Sequence, residues 1–183
     1  RFWQARLGEM IAAGTGFGKF PGGIAPGASL VSARIISDTP PKDDGSGQGN
    51  AVTAADAAFF AQTLNPALIN AGVKVMNNSW GGIYWDTTNA SINQAFGQAY
   101  QPFVQQGGLV VFAAGNDKRT DPSDIASLPT VAPGLGLDKG WLVAVAVDSN
   151  NPTQLASYSN ACGRSMNYCL AAPGDVIVLD KDT

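Results

Sequence analysis

Two continuous apolar runs constrain this chain more than any other feature. "LVVFAA" (109–114) and "WLVAVAV" (141–147) contain no polar residue in alternation, the pattern of a strand buried on both faces in a parallel sheet. "VKVMNNS" (73–79) reads as a further buried strand and "ASLVSARII" (28–36), after the turn "FPGGIAPG", as another. Helical stripes lie between and before them: "FWQARLGEMIAA" (2–13), "AVTAADAAFFAQTLNPALINA" (51–71), where Pro66 must kink or divide the helix, and "NASINQAFGQAYQPFVQQ" (89–106), with Asn89 as its N-cap. "ASYSN", "YCLAAPG" and "DVIVL" supply short strands towards the end. Strand alternating with helix at this spacing predicts an α/β domain built on a parallel sheet.

With 183 residues, 45% of them hydrophobic and 14% charged, the chain is expected to form one domain, residues 1–183, with a real core. A net charge of −3 and no Lys/Arg cluster longer than a pair argue against nucleic acid as a partner. No apolar run approaches the ~18 residues of a membrane span, and no secretion leader opens the sequence, so a cytosolic protein or a mature exported piece is expected. Two cysteines without any histidine cannot build a structural zinc site. Cys162 and Cys169 flank a short loop containing Gly163 and Asn167 that could close as a hairpin and bring them within bridging distance, implying an oxidising compartment; the alternative is two unrelated thiols. The polar stretches 37–50 and 116–140 are long enough to be expected at the rim of a site.

The run "VVFAAGND" ends in Gly115 and Asn116. An amide placed where a buried strand gives out at the carboxyl edge of such a sheet is either an inconsequential loop residue or a hydrogen-bond donor aimed into a site. Asp117 and Asp148 read as solvated turn residues rather than metal ligands.

Several segments, in one order over nearly the whole chain, resemble the subtilisin-like serine proteases. "GGIAPGASLVSARII" resembles the turn and strand after that family's catalytic-histidine helix, "DGSGQ" (44–48) the segment that pairs with substrate backbone, and "VMNNSWGG" (75–82) the strand and floor beside the first specificity pocket. "VVFAAGND" resembles the strand that carries the oxyanion-hole Asn; "VAVAVDSNNPTQLASYSNACG" and "LAAPGDVIV" resemble the stretch leading to the nucleophile. The resemblance implies a partial three-layer subtilisin-like core and makes Asn116 the oxyanion donor. It places Ala113, Ala114 and Gly115 on one wall of the pocket and Ser79, Trp80 and Gly81 on the other, with Gly45, Ser46 and Gly47 presenting backbone groups to an extended peptide. The resemblance favours the wall for Trp80; the alternative is a core aromatic at a strand end. Structural calcium occurs in the family, but no acidic cluster here specifies a site and no cofactor is expected.

The triad does not carry over. Where the family has its His-Gly-Thr helix, this sequence has "RFWQARLG", with Trp3 at or beside the histidine's place; Ser165-Met166 lacks the family's Gly-Thr lead; and the Asp-bearing strand would precede residue 1, as the nucleophile would follow Thr183. The expectation is therefore a fragment of a secreted or bacterial cell-surface endopeptidase, inactive as this chain. The alternatives are a degenerate pseudo-protease that binds peptides, or an unrelated α/β domain for a small ligand, which would lack a G-x-G-x-x-G phosphate loop. The cysteine pair and the "DPSDIASLPTVAPGLG" insertion also resemble the protease passengers of bacterial autotransporters.

Overall fold

The computed structural model describes residues 11–16, 21–35, 52–80 and 83–175. The chain divides into two compact units, residues 1–32 with 175–183, and residues 33–174. In the first, residues 11–13 are helical, and the backbone N–H groups of Gly23, Ile24 and Ala25 donate to the carbonyls of Gly14, Ile11 and Ala12 at 2.8, 3.0 and 2.7 Å. The rest of the helix expected over 2–13 lies outside the described residues. The strand expected over 28–36 does not form over its described part: residues 28–35 join no ladder, and Leu30 and Val31 are exposed. An apolar run becomes a strand only where a neighbouring edge takes up its backbone groups.

Among the described residues the second unit is built on a five-stranded sheet: β1 (Val75–Asn78), β2 (Leu109–Ala113), β3 (Trp141–Asp148), β4 (Asn151–Leu155) and β5 (Cys169–Pro173). β1 pairs with β2, β2 with β3 and β3 with β5, all parallel. β4 departs from the all-parallel expectation, returning antiparallel to β3 through a hairpin. It takes the place of the strand expected at "ASYSN", which is a turn. The strands are also less symmetrically buried than their apolar runs suggest. Val110 and Phe112 of β2, and Trp141, Val143, Val145 and Val147 of β3, are buried, whereas the residues between them are half-buried.

The buried face is covered by helices. Thr53 opens the first helical stretch, its backbone N–H and hydroxyl both donating to Asp56 Oδ2 at 2.7 and 2.8 Å. A 3-10 turn (Ala54–Asp56) leads into α1 (Ala57–Phe59), a π-turn (Phe60–Leu64) and α2 (Asn65–Asn70). The π-turn is how the chain accommodates Pro66, which sits in the first turn of α2. Pro66 has no N–H for the usual ladder, so the preceding turn widens and the Asn65 N–H donates to the Phe60 carbonyl five residues back. α3 (Ala90–Gln105) begins as expected at Asn89, whose side chain accepts from the Ile92 N–H at 3.3 Å.

Ile92, Phe96, Tyr100 and Phe103 of α3 recur at helical spacing on its buried face. The Tyr100 ring meets Phe112 and Trp141 edge-on with centroids 6.1 and 5.4 Å apart, while Phe60 joins Phe96 and Tyr100 at 5.8 and 5.9 Å. These aromatics form the centre of the core. The stretch 116–140 is exposed at the carboxyl edge over residues 116–120, but beyond them it is packed more closely than its polar residues predict. It holds α4 (Leu128–Val131) and a 3-10 turn (Leu137–Gly140), and Pro122–Leu128 is buried. Ser123, Ala126 and Ser127 are small enough for close packing, Ile125 and Leu128 fill the space beneath, and Trp141 Nε1 donates to the Ala126 carbonyl at 2.9 Å. The other stretch, 37–50, lies outside the described residues.

Candidate functional site

The register of β1 on β2 sets Asn78 opposite Phe112, so both chains leave the sheet side by side at its carboxyl edge. Ser79 and Trp80 follow on one, Ala113 to Asn116 on the other. Adjacent strands run roughly 4.8 Å apart, so the two segments proposed as pocket walls stand as neighbours. Ser79 and Asn116 are exposed, Ala113 and Gly115 half-buried, Ala114 buried. Gly81, Gly45, Ser46 and Gly47 lie outside the described residues.

Trp80 is half-buried and packs on the core, stacked against Phe60 at 6.2 Å and edge-on to Phe112 at 5.3 Å, with Nε1 donating to Asn78 Oδ1 at 3.1 Å. Asn78 Nδ2 in turn donates to the Val111 carbonyl at 3.3 Å, tying the end of β1 to β2. The aromatic cluster and Asn78 therefore hold Trp80 where it leaves β1.

β2 does not stop cleanly at Ala113. The Ala114 N–H still donates to Ala144 O of β3 at 2.9 Å, and then Gly115, with φ of 114°, turns the chain out of the sheet. Only glycine adopts that conformation readily. On the same edge of β3, two residues further along, Ala146 O accepts from the Ala156 N–H at the end of β4. The β3–β4 hairpin thus delivers residues 156–160 directly to the point where β2 gives out.

Asn160 is the residue it delivers, and it is fully buried. Its Oδ1 accepts from the backbone N–H groups of Asp117 and Arg119, both at 2.9 Å. Its Nδ2 donates to the Ala114 carbonyl at 3.0 Å and reaches Tyr84 Oη at 3.4 Å, and its backbone N–H donates to the Gly115 carbonyl at 2.9 Å. A Cβ on Gly115 would stand 2.5 Å from Asn160 Nδ2. One side chain therefore grips the chain on both sides of Asn116. No periodicity or motif points to Asn160 in the sequence, because the contact spans more than forty residues.

A polar rim surrounds this loop. Tyr84 donates to Asp117 Oδ2 at 2.9 Å, and the Arg119 guanidinium carbon lies 4.0 Å above the Tyr84 ring centroid. Burial, reinforced by Asp117, pushes the Tyr84 hydroxyl above its ordinary pKa, so it stays a neutral donor at physiological pH. Behind it Asp124 accepts from the Trp85 N–H at 2.7 Å and pairs with Arg164 at 3.4 Å. Asp117 lies on an exposed bend, as expected, whereas Asp148 is not a turn residue: it closes β3, half-buried, and its Oδ1 accepts from the Asn150 N–H at 2.8 Å in the hairpin that follows. Among the described residues no group of three or more His, Cys, Asp or Glu is placed to hold a metal ion. Cys162 and Cys169 are joined by a disulfide, with Cα atoms 5.8 Å apart.

The chain matches the profile of Peptidase S8, the subtilase family, over residues 7–182. It is 36% identical over 137 residues to serotype-specific antigen 1 of Mannheimia haemolytica, an alignment that covers 69% of this chain and 14% of that protein's length. The fold is similar to that of a mutant protease domain of PatA, with a TM-score of 0.59 and 23% identity over 90% of this chain and 49% of that one. The carboxyl-edge geometry, the family profile across nearly the full sequence and the shared α/β fold agree: the chain belongs to the subtilase family.

Proposed function

We propose that these residues are the substrate-binding and oxyanion-stabilising part of a secreted subtilisin-like endopeptidase, and that this chain does not cleave peptides by itself. The observation that carries the reading is the carboxyl edge of β1 and β2. There the exposed Asn116 stands at the end of a strand whose exit is held by a buried clamp, beside the segment Ser79–Trp80. An extended peptide lies between the two segments, its backbone paired with Gly45–Gly47, and a large apolar side chain enters between Ala113–Gly115 and Ser79–Gly81. Asn116 donates to the oxygen that becomes negative as the carbonyl carbon turns tetrahedral. A preorganised donor of this kind contributes about 10²–10³ in kcat, a figure that comes from subtilisin.

Chemistry needs more than this donor. A Ser–His–Asp triad requires a base in contact with the nucleophile, and none of the 183 residues is histidine. Loss of the base or nucleophile costs roughly 10⁶ in subtilisin. Export to the cell surface, as in an autotransporter passenger, is supported by the Cys162–Cys169 disulfide and by a relative named as an antigen.

The test of inactivity is incubation of the purified chain with a fluorophosphonate probe and with casein, beside an intact subtilase. No labelled serine and no casein cleavage are expected. Covalent labelling that disappears when the labelled serine is replaced by Ala would show that the chain carries a nucleophile and a base of its own.

A further inference from the structure

We propose that Asn160 is the positioning residue that sets the aim of Asn116. The inference rests on the reading of Asn116 as the oxyanion donor, and it assigns to a second residue the rigidity that such a donor needs. A hydrogen-bond donor stabilises a developing charge only if it does not have to reorganise when the charge appears. Asn116 is on an exposed turn, followed by Lys118 at φ 57°, where a backbone of this composition would ordinarily be free to move. Four hydrogen bonds made by Asn160 remove that freedom: its Oδ1 accepts from the amides of Asp117 and Arg119, its Nδ2 donates to Ala114 O, and its own backbone N–H donates to Gly115 O. They hold residues 114, 115, 117 and 119 and leave residue 116 to point outward.

The amide side chain suits this task because it both donates and accepts in a fixed plane. A Ser is too short to bridge residues 114 and 119, and an Asp retains the acceptor that binds two amides but loses the donor to Ala114. Asn160 is itself anchored from behind. Its carbonyl accepts from the Ser159 hydroxyl at 2.8 Å, and Ser159 Oγ accepts from the Ala146 N–H at 3.0 Å, so the clamp is bolted to β3.

The experiment compares two peptides on the full chain: one with a large apolar residue before a phosphinate that mimics the tetrahedral oxyanion, and its neutral ketomethylene counterpart. The ratio of their dissociation constants reads the oxyanion donor apart from general binding. Wild type should prefer the phosphinate by about tenfold or more, as a charge-assisted hydrogen bond allows. Asn116→Ala should abolish the preference. Asn160→Ala should abolish it too, whatever it costs ketomethylene binding, because a general loss cancels in the ratio, and Asn160→Asp, which keeps the acceptor for the Asp117 and Arg119 amides, should restore part of it. If Asn116→Ala leaves the ratio unchanged, the oxyanion reading fails and the inference with it. If Asn116→Ala abolishes the preference and Asn160→Ala does not, the inference alone fails. Hydrogen exchange in the wild type supplies an arm that needs no variant. The Asp117 and Arg119 amides should be protected about a hundredfold or more over an open loop, and exchange at the open-loop rate would overturn the clamp.

Discussion

Asp124 shows what a single side chain costs at this site. It is a carboxylate with a side chain only 5% exposed, and burial raises its pKa against the opposing pull of the Trp85 N–H and Arg164. A carboxyl whose folded pKa lies above its unfolded value of about 3.9 binds its proton more tightly in the native state, so its contribution to stability is present below that value and is lost as pH rises through the folded one. Two contacts oppose that burial: Asp124 accepts from the Trp85 N–H and pairs with Arg164 of the disulfide loop. Asp124→Asn keeps an acceptor for Trp85 and removes the titration. Urea unfolding from pH 3 to 7 should show wild type losing stability relative to the variant as pH rises above about 4, and then a constant difference. A difference that is flat across that range, or of opposite sign, would contradict this assignment.

At the scale of elements, the disulfide loop is a docked piece rather than a free hairpin. Cys162 and Cys169 bracket a 3-10 turn, Gly163–Tyr168, whose polar groups are spent on the stretch 121–130. The Arg164 N–H donates to Asp121 Oδ1 at 2.8 Å, Ser165 Oγ to Ser127 Oγ at 3.2 Å, and Thr130 Oγ1 to Arg164 O at 2.9 Å, while Tyr168 Oη lies 2.7 Å from Thr130 Oγ1. Because β5 follows at Cys169 and pairs with β3, the bridge ties the insertion to the sheet. Replacing both cysteines with Ser should lower unfolding free energy by about 2–3 kcal/mol, the chain-entropy value for so short a loop. The same change should speed amide exchange in Gly163–Tyr168 and in Leu128–Val131 before it does so in β3. Unchanged stability, or loosening that begins in β3, would show that the bridge is incidental to the docking.

For the molecule as a whole, legibility followed sequence distance. The strand cores, α3 with its Asn89 cap, the cysteine pair and the exit of β2 at Gly115–Asn116 could be read locally, since each depends on periodicity, caps or loop length. The errors arose where distant packing decides. The 116–140 stretch looked loose because its buried residues are small or polar, β4 displaced the expected "ASYSN" strand because the hairpin takes the edge of β3 beyond β2, and residues 28–35 lacked a partner edge. Asn160, Tyr84 and Asp124 were invisible for the same reason: their roles exist only once β1, β2 and the β3–β4 hairpin meet. A cleft of this kind must bind peptide where these elements meet. Titrating ¹⁵N-labelled chain with an extended peptide bearing one large apolar residue, followed by two-dimensional NMR, tests it most directly. Saturable shifts are predicted at Ser79, Trp80 and Ala113–Asn116, with Asp117 and Arg119 moving through the Asn160 clamp; shifts confined to α3 or to β4, with the carboxyl edge of β1 and β2 unmoved, would contradict it.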